Sequence, residues 1–188
     1  AIGIFYYEVK GVDRNISKAL NWYERAARLG LSDAQYNIGY IYNEGIGVER
    51  DYIEALKWYS LAAKQNDPVA QNAIGNLYLD GLGVPRDYNE ALKWYTKSAK
   101  NGDSYGQNNL GYLYEEGLGV QKDYNEAFKW YTLSAKQEND WAQYNLGLLY
   151  SEGNGVALDY NKALEWFQLA ADQDNDYAQY AVGYMYDH

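Results

Sequence analysis

Tyrosine, asparagine and acidic side chains return in this chain at an interval of 36 residues, and the chemistry they offer is recognition. Glu44, Asp80, Glu116 and Glu152 form one such row, and Asn37, Asn109 and Asn145 belong to another. An asparagine amide both donates and accepts, so it can pair with the N–H and the C=O of an extended peptide. Phenol and indole rings supply large contact area at low entropic cost, as binding hot spots do. A row of carboxylates steers a cationic partner and makes its association salt-dependent.

Catalytic chemistry has far less to work with. His188 is the only histidine and stands at the last position, where a frayed end is expected. Without cysteine there is no thiol nucleophile and no thiolate metal site, and no Ser–His pair or His–carboxylate cluster is evident. Glu115 and Glu116 could do acid–base work as a pair, but a solvated helix end accounts for them more simply. The loops Gly45-Ile46-Gly47-Val48, Gly81-Leu82-Gly83-Val84, Gly117-Leu118-Gly119-Val120 and Gly153-Asn154-Gly155-Val156 lack the third glycine of a dinucleotide fingerprint and the Gly-Lys-Ser/Thr of a phosphate loop. They read as helix stops. The sequon Asn15-Ile16-Ser17 coincides with a helix N-cap and reads as a chance match. No catalytic residue, metal or cofactor is expected.

The chain carries 26 acidic and 16 basic side chains, a net charge of -10. That disfavours nucleic acid, whose phosphates need clustered Lys and Arg. It suits a basic or polar partner. No apolar run reaches the ~18 residues of a membrane span. No signal peptide is evident, although a chain that begins with Ala1 is compatible with a removed leader.

The elements that position the recurring side chains follow from the same interval. Trp22, Trp58, Trp94, Trp130 and Trp166 are 36 residues apart, as are Gly39, Gly75, Gly111, Gly147 and Gly183. A fixed period of this size marks a repeat solenoid, in which each unit buries its apolar face against its neighbours. Each unit holds two helices. In the first, roughly 33–44, Ala34, Ile38 and Tyr42 recur at spacing four. The Gly-x-Gly loop stops it. The second opens with Asp51 and Glu54, Asp87 and Glu90, or Asp123 and Glu126, in the manner of a capping box. Asn15 and Asp159 are followed by lysine three residues on, which predicts weaker starts. Ala55, Trp58, Tyr59, Ala62 and Ala63 alternate bulky and small groups for packing. A mid-helix glycine such as Gly39 costs about 1 kcal/mol relative to Ala, and its return predicts a helix approach too close for a Cβ.

Ala-x3-Leu-Gly-x2-Tyr, then Gly-x-Gly-Val, then Asp-Tyr-x-x-Ala-x2-Trp-Tyr-x2-Ala-Ala resembles the Sel-one-like repeat (SLR) family, relatives of the tetratricopeptide repeats. The tetratricopeptide period is 34 residues; the period of 36 here fits the SLR pattern better. The resemblance implies an all-α, right-handed superhelical solenoid of antiparallel helix pairs. It also implies a non-enzymatic role as an adaptor or scaffold. Such roles span endoplasmic-reticulum quality control, activation of cell-wall synthases, and bacterial host interaction or effector immunity. Residues 1–188 then form one solenoid of about five repeats with partial units at both ends. Gly3 and Tyr6 hold the positions of Gly39 and Tyr42, and no second helix follows Tyr177–Tyr186. The frame therefore predicts a piece of a longer array, or ends that stack on one another.

In tetratricopeptide-like superhelices the first helices line a concave groove. With Ile38, Gly39 and Tyr42 assigned to packing, helical spacing places Tyr36, Asn37, Tyr40 and Glu44 on that groove. Asn72, Asn76 and Asp80 follow in the next unit, then Tyr105, Asn108, Asn109, Tyr112 and Glu116. The remaining sets are Trp141, Tyr144, Asn145 and Glu152, and Tyr177, Tyr180 and Tyr184. The windows 31–48, 67–84, 103–120, 139–156 and 175–188 contain no Lys or Arg, so the bases lie outside the first helices. Lys57 and Lys64, Lys93 and Lys100, and Lys129 and Lys136 read as a solvated outer face. Carboxylate-clamp tetratricopeptide domains grip a peptide terminus with groove lysines, which these positions do not offer. The expected function is a protein-interaction scaffold that takes a basic or aromatic-rich peptide segment, or a partner helix, in the groove. The alternative is a carbohydrate-binding module whose aromatics stack on sugar rings.

Overall fold

Gly45, Gly81, Gly117 and Gly153 each end a first helix in a left-handed conformation that a side chain would resist, and this punctuation sets the architecture. The computed structural model describes residues 15–187. Ten helices span them: α1 (Ile16–Arg28), α2 (Ser32–Glu44), α3 (Tyr52–Ala63), α4 (Pro68–Asp80), α5 (Tyr88–Lys100), α6 (Ser104–Glu116), α7 (Tyr124–Ala135), α8 (Asp140–Glu152), α9 (Tyr160–Ala171) and α10 (Asp176–Asp187). No strand occurs among the described residues. The fold is all-α, built of helix pairs, as the 36-residue interval predicts. Gly3, Tyr6 and His188 lie outside the described residues.

Packing divides the chain into two compact units, one ending at Trp94 and the other beginning at Tyr95. In the first unit Ala19, Tyr23, Ala27, Ala34, Ile38 and Ile41 form one buried cluster. Ala55, Tyr59, Ala62, Ala63, Ala70, Ile74 and Leu77 form the next. In the second unit Ala127, Tyr131, Ala135, Ala142, Leu146 and Leu149 play the same part. The buried aromatic is the residue after each periodic tryptophan: Tyr23, Tyr59, Tyr95, Tyr131 and Phe167 are at most 5% exposed, whereas Trp22 is 38% exposed.

The glycine expectation holds at three positions. A Cβ on Gly39 would meet the Tyr59 ring at 2.6 Å, one on Gly111 the Tyr131 ring at 2.8 Å, and one on Gly147 the Phe167 ring at 2.5 Å. At Gly183 nothing lies within 4 Å. The first glycine of each Gly-x-Gly loop is a C-cap. Gly45 has φ 69° and its N–H donates to Ile41 O. The second glycine lets the loop press on the preceding second helix: a Cβ on Gly155 would lie 2.7 Å from the Tyr124 backbone.

The second-helix starts differ in one respect from the expected capping box. Asp51 Oδ1 accepts from the Ile53 and Glu54 N–H groups at 3.0 and 2.9 Å. The reciprocal bond is replaced. The Asp51 N–H donates to Tyr42 O at 2.9 Å, clamping the loop, and Glu54 turns to Lys57, 2.7 Å away. At Asp159 the lysine that follows is not wasted: its N–H donates at 3.1 Å and its Nζ lies 3.4 Å from Oδ2. Asn15 accepts from the Lys18 N–H, as its N-cap role predicts. First helices have caps of their own at Asp67, Asp103, Asn139 and Asn175, where the sequence pattern gave no expectation.

At three corners a buried amide braces a second helix to the next first helix. Gln35, Gln71 and Gln107 donate through Nε2 to Ala27 O, Ala63 O and Ala99 O at 3.2, 3.3 and 3.2 Å. The Oε1 of Gln35, Gln107 and Gln143 accepts from Gln65, Gln137 and Gln173, each at 2.8 Å. Each brace adds a second donor to a helix-end carbonyl that already accepts from the turn, Gly30 N–H on Ala27 O, Asn66 N–H on Ala63 O and Gly102 N–H on Ala99 O.

Candidate partner-binding clefts

Each unit carries a cleft between consecutive first helices, floored by the second helix between them. In the first unit the walls are Tyr36, Tyr40, Asn43 and Glu44 of α2 and Val69, Asn72, Ala73 and Asn76 of α4, with Tyr59 of α3 beneath. The cavity measures about 160 Å³. The Tyr36 ring lies 5.5 Å from Tyr59 and 6.4 Å from Tyr40, close enough for mutual ring contact. Burial pushes the Tyr59 phenol far above its ordinary pKa, so it stays neutral. Asn43 Nδ2 donates to Glu44 Oε1 at 2.6 Å, which holds that carboxylate at the mouth.

In the second unit the equivalent cleft lies between α8 and α10 and measures about 750 Å³. Tyr144, Leu148 and Ser151 face Tyr177, Tyr180, Ala181 and Tyr184 over a floor of Phe167; Tyr160, Asp176 and Met185 complete it. Tyr144 stacks at a tilt on Phe167, 5.6 Å away, and on Tyr177, 6.0 Å away. Trp141 stands at the shoulder, 5.6 Å from Tyr177. The Tyr144 phenol is pushed up by burial first, then by Tyr177 and by the Glu152 charge.

The remaining predicted positions are solvent-accessible without lining either cleft. On α6, Tyr105, Tyr112 and Glu116 are exposed and Asn108 and Asn109 half-buried. Asn37 and Asn145 are half-buried, and Asp80 and Glu152 exposed. The amides are less open to a ligand than their spacing suggests. Asn145 Nδ2 donates to Asn108 Oδ1 at 3.1 Å, and Asn108 Nδ2 to Asn109 Oδ1 at 3.3 Å, so part of their capacity joins α8 to α6.

Two features escaped the sequence reading. Tyr59 and Phe167 supply the cleft floors; the signal was their fixed place one residue after the periodic tryptophan. Glu115 is half-buried and accepts from the Tyr131 hydroxyl at 2.6 Å. Its pKa is raised, chiefly by burial and also by Glu116 and Glu152, while the Tyr131 bond works the other way. Glu115 and Glu116 are therefore not an equivalent pair: one is engaged in the fold and the other exposed. Among the described residues no group of three or more His, Cys, Asp or Glu could hold a metal ion. No helix among them is long and apolar enough to cross a membrane.

Comparison with known proteins agrees with this architecture. A family model, Sel1 repeat, matches residues 2–31, 32–67, 68–103, 104–139, 142–175 and 176–188. A solved Sel1 repeat protein from Oxalobacter formigenes is 40% identical, with a TM-score of 0.93 over 100% of this chain and 76% of that one. A protective antigen of uropathogenic Escherichia coli strains, displaying an SLR fold, is 39% identical with a TM-score of 0.86, covering 98% of this chain and 39% of its own. An immunity protein from Pseudomonas aeruginosa shares the fold at 23% identity and a TM-score of 0.66, over 94% of this chain and 68% of that one. No curated protein matches the chain.

Proposed function

The chain belongs to the Sel1 repeat family, and on that premise we propose that it is a non-enzymatic interaction scaffold that binds a peptide segment or partner helix along its first helices. One observation carries this reading: the same repeat positions line a cleft in each unit, with aromatic rings left accessible on its walls. Every predicted groove residue is half-buried or exposed, so each keeps surface for a partner even where, as at Tyr36 and Tyr40, it also packs against the core. Exposed, clustered rings beside carboxylates are the composition of a binding surface. A peptide or helix suits the clefts better than a sugar. In the second cleft the rings meet at tilts of 43° to 49° and enclose a notch for a side chain, whereas a sugar face stacks on a flat ring; in the first, Tyr36 and Tyr40 lie at 23°.

Affinity capture from the source lysate, run beside the Tyr112→Ala/Tyr144→Ala protein, tests the proposal. A partner held by the unaltered protein is expected to lose binding by about tenfold or more, with helicity unchanged. A partner that binds the double variant normally removes the groove from the account. Saturable binding of a glycan panel without salt dependence would move the assignment to carbohydrate.

A further inference from the structure

The two clefts use equivalent positions but differ in what fills them. Asn72 and Asn76 on α4 become Tyr180 and Tyr184 on α10, Tyr40 becomes Leu148, and the Tyr59 floor becomes Phe167. Amides give way to rings, a phenol to an aliphatic chain, and the floor loses its hydroxyl. The Ser151 hydroxyl donates to Leu148 O at 2.9 Å and so is turned toward its own helix. The second cleft, at about 750 Å³ against about 160 Å³, falls within the range of ligand pockets, roughly 300–1,000 Å³.

The charge around it has one sign. Glu152 on α8 and Asp176 on α10 have no Lys or Arg on either helix, and Asp140 accepts from Asn175 Nδ2 at 2.8 Å. Asp176 lines the cleft, and the Glu152 charge is felt at the Tyr144 phenol. Lys162 is the one base between positions 139 and 187, and it is paired with Asp159. Tyr177 and Tyr180 line the cleft together with Asp176. A guanidinium or ammonium group gains there both from the carboxylates and from the ring quadrupoles.

We infer that the cleft between α8 and α10 takes a peptide presenting a bulky aromatic side chain flanked by Arg or Lys, the ring entering over Phe167 and the cation meeting the acidic rim. This rests on the groove reading above and specifies its partner. The probe is a dye-labelled, end-blocked peptide of alternating Trp and Arg, followed by fluorescence anisotropy. Two control peptides replace every Trp with Ala, or every Arg with Glu. The variant is Tyr180→Asn/Tyr184→Asn, which installs the residues that the equivalent positions of α4 already carry.

The expected result is saturable binding to the Trp–Arg peptide alone. The double variant should bind it about tenfold more weakly. Raising salt from roughly 50 to 500 mM should weaken binding severalfold. The inference is overturned if the Trp–Arg peptide does not bind, if either control binds equally well, or if the Asn variant is unaffected. Binding lost in Tyr112→Ala/Tyr144→Ala but kept in Tyr180→Asn/Tyr184→Asn would leave the groove reading standing and remove this one. Binding kept in both would remove both.

Discussion

At the residue scale, the corner after each second helix uses a left-handed residue, and its identity varies. Gly30 and Gly102 sit there with φ 89° and 93°; Asn66, Glu138 and Asp174 sit there with φ 64°, 61° and 63°. Asparagine and aspartate tolerate this region far better than glutamate, whose longer chain gains no local hydrogen bond from it. Glu138 is exposed, so nothing in packing requires it. Glu138→Gly should stabilise the protein by about 1 kcal/mol, once relief of strain is set against glycine's larger unfolded-state entropy. A urea midpoint unchanged or lowered in that variant would contradict the strain argument. The same scale explains why the site was only partly legible. Spacing assigned Tyr36, Tyr144 and Tyr180 to an accessible face because the helical period is regular. It could not foresee that Asn108 and Asn145 bond one another, since that pairing depends on how closely two helices approach.

At the element scale, the helix-interior glycines and the rings that cover them behave as lock and key. Glycine to alanine in a helix ordinarily stabilises by about 1 kcal/mol. At Gly147 the added Cβ would fall 2.5 Å from the Phe167 ring, so Gly147→Ala should instead destabilise by about 1–3 kcal/mol. Gly183→Ala, with nothing within 4 Å, should be neutral or stabilising. Equal denaturation midpoints for the two variants would show that the ring contact is not what the glycine serves. The helices themselves were legible because apolar spacing, glycine stops and aspartate caps agree. The glutamate of the expected capping box was misread for a local reason: Lys57 sits one turn further along and competes for Glu54, while Tyr42 O takes the donor that Glu54 would have answered. The caps at Asp67, Asp103, Asn139 and Asn175 went unseen because the first unit has Leu31 there, with no side-chain cap, and the regularity is broken.

At the scale of the whole molecule, stability is the sum of near-neighbour contacts repeated along the chain. The buried clusters each draw on adjacent helices. Damage should therefore stay local. In Gly147→Ala, amide hydrogen exchange is expected to accelerate in α8 and α9 while α1 and α2 keep their protection. Uniform acceleration across the chain would mean that the protein opens as one cooperative block. The net charge of -10 acts at this scale as well. With the bases confined mainly to second helices and the acids to both, the first helices carry a negative charge whose field reaches about one Debye length, roughly 8 Å at physiological ionic strength.

The glutamine braces carry an implication for how such a chain can change length. Gln71 reaches back eight residues to Ala63 O, and the turn between them has no slack. On the other side of the pair, the Asp51 N–H is tied to Tyr42 O and Gly83 is pressed against Tyr52. Losing one amino acid at either bend would put such a tie out of register. Excising 36 in frame would bring an identical set of ties together. Growth and shrinkage in this lineage should accordingly proceed in whole modules, with the ligand-facing positions carried along as passengers of the count.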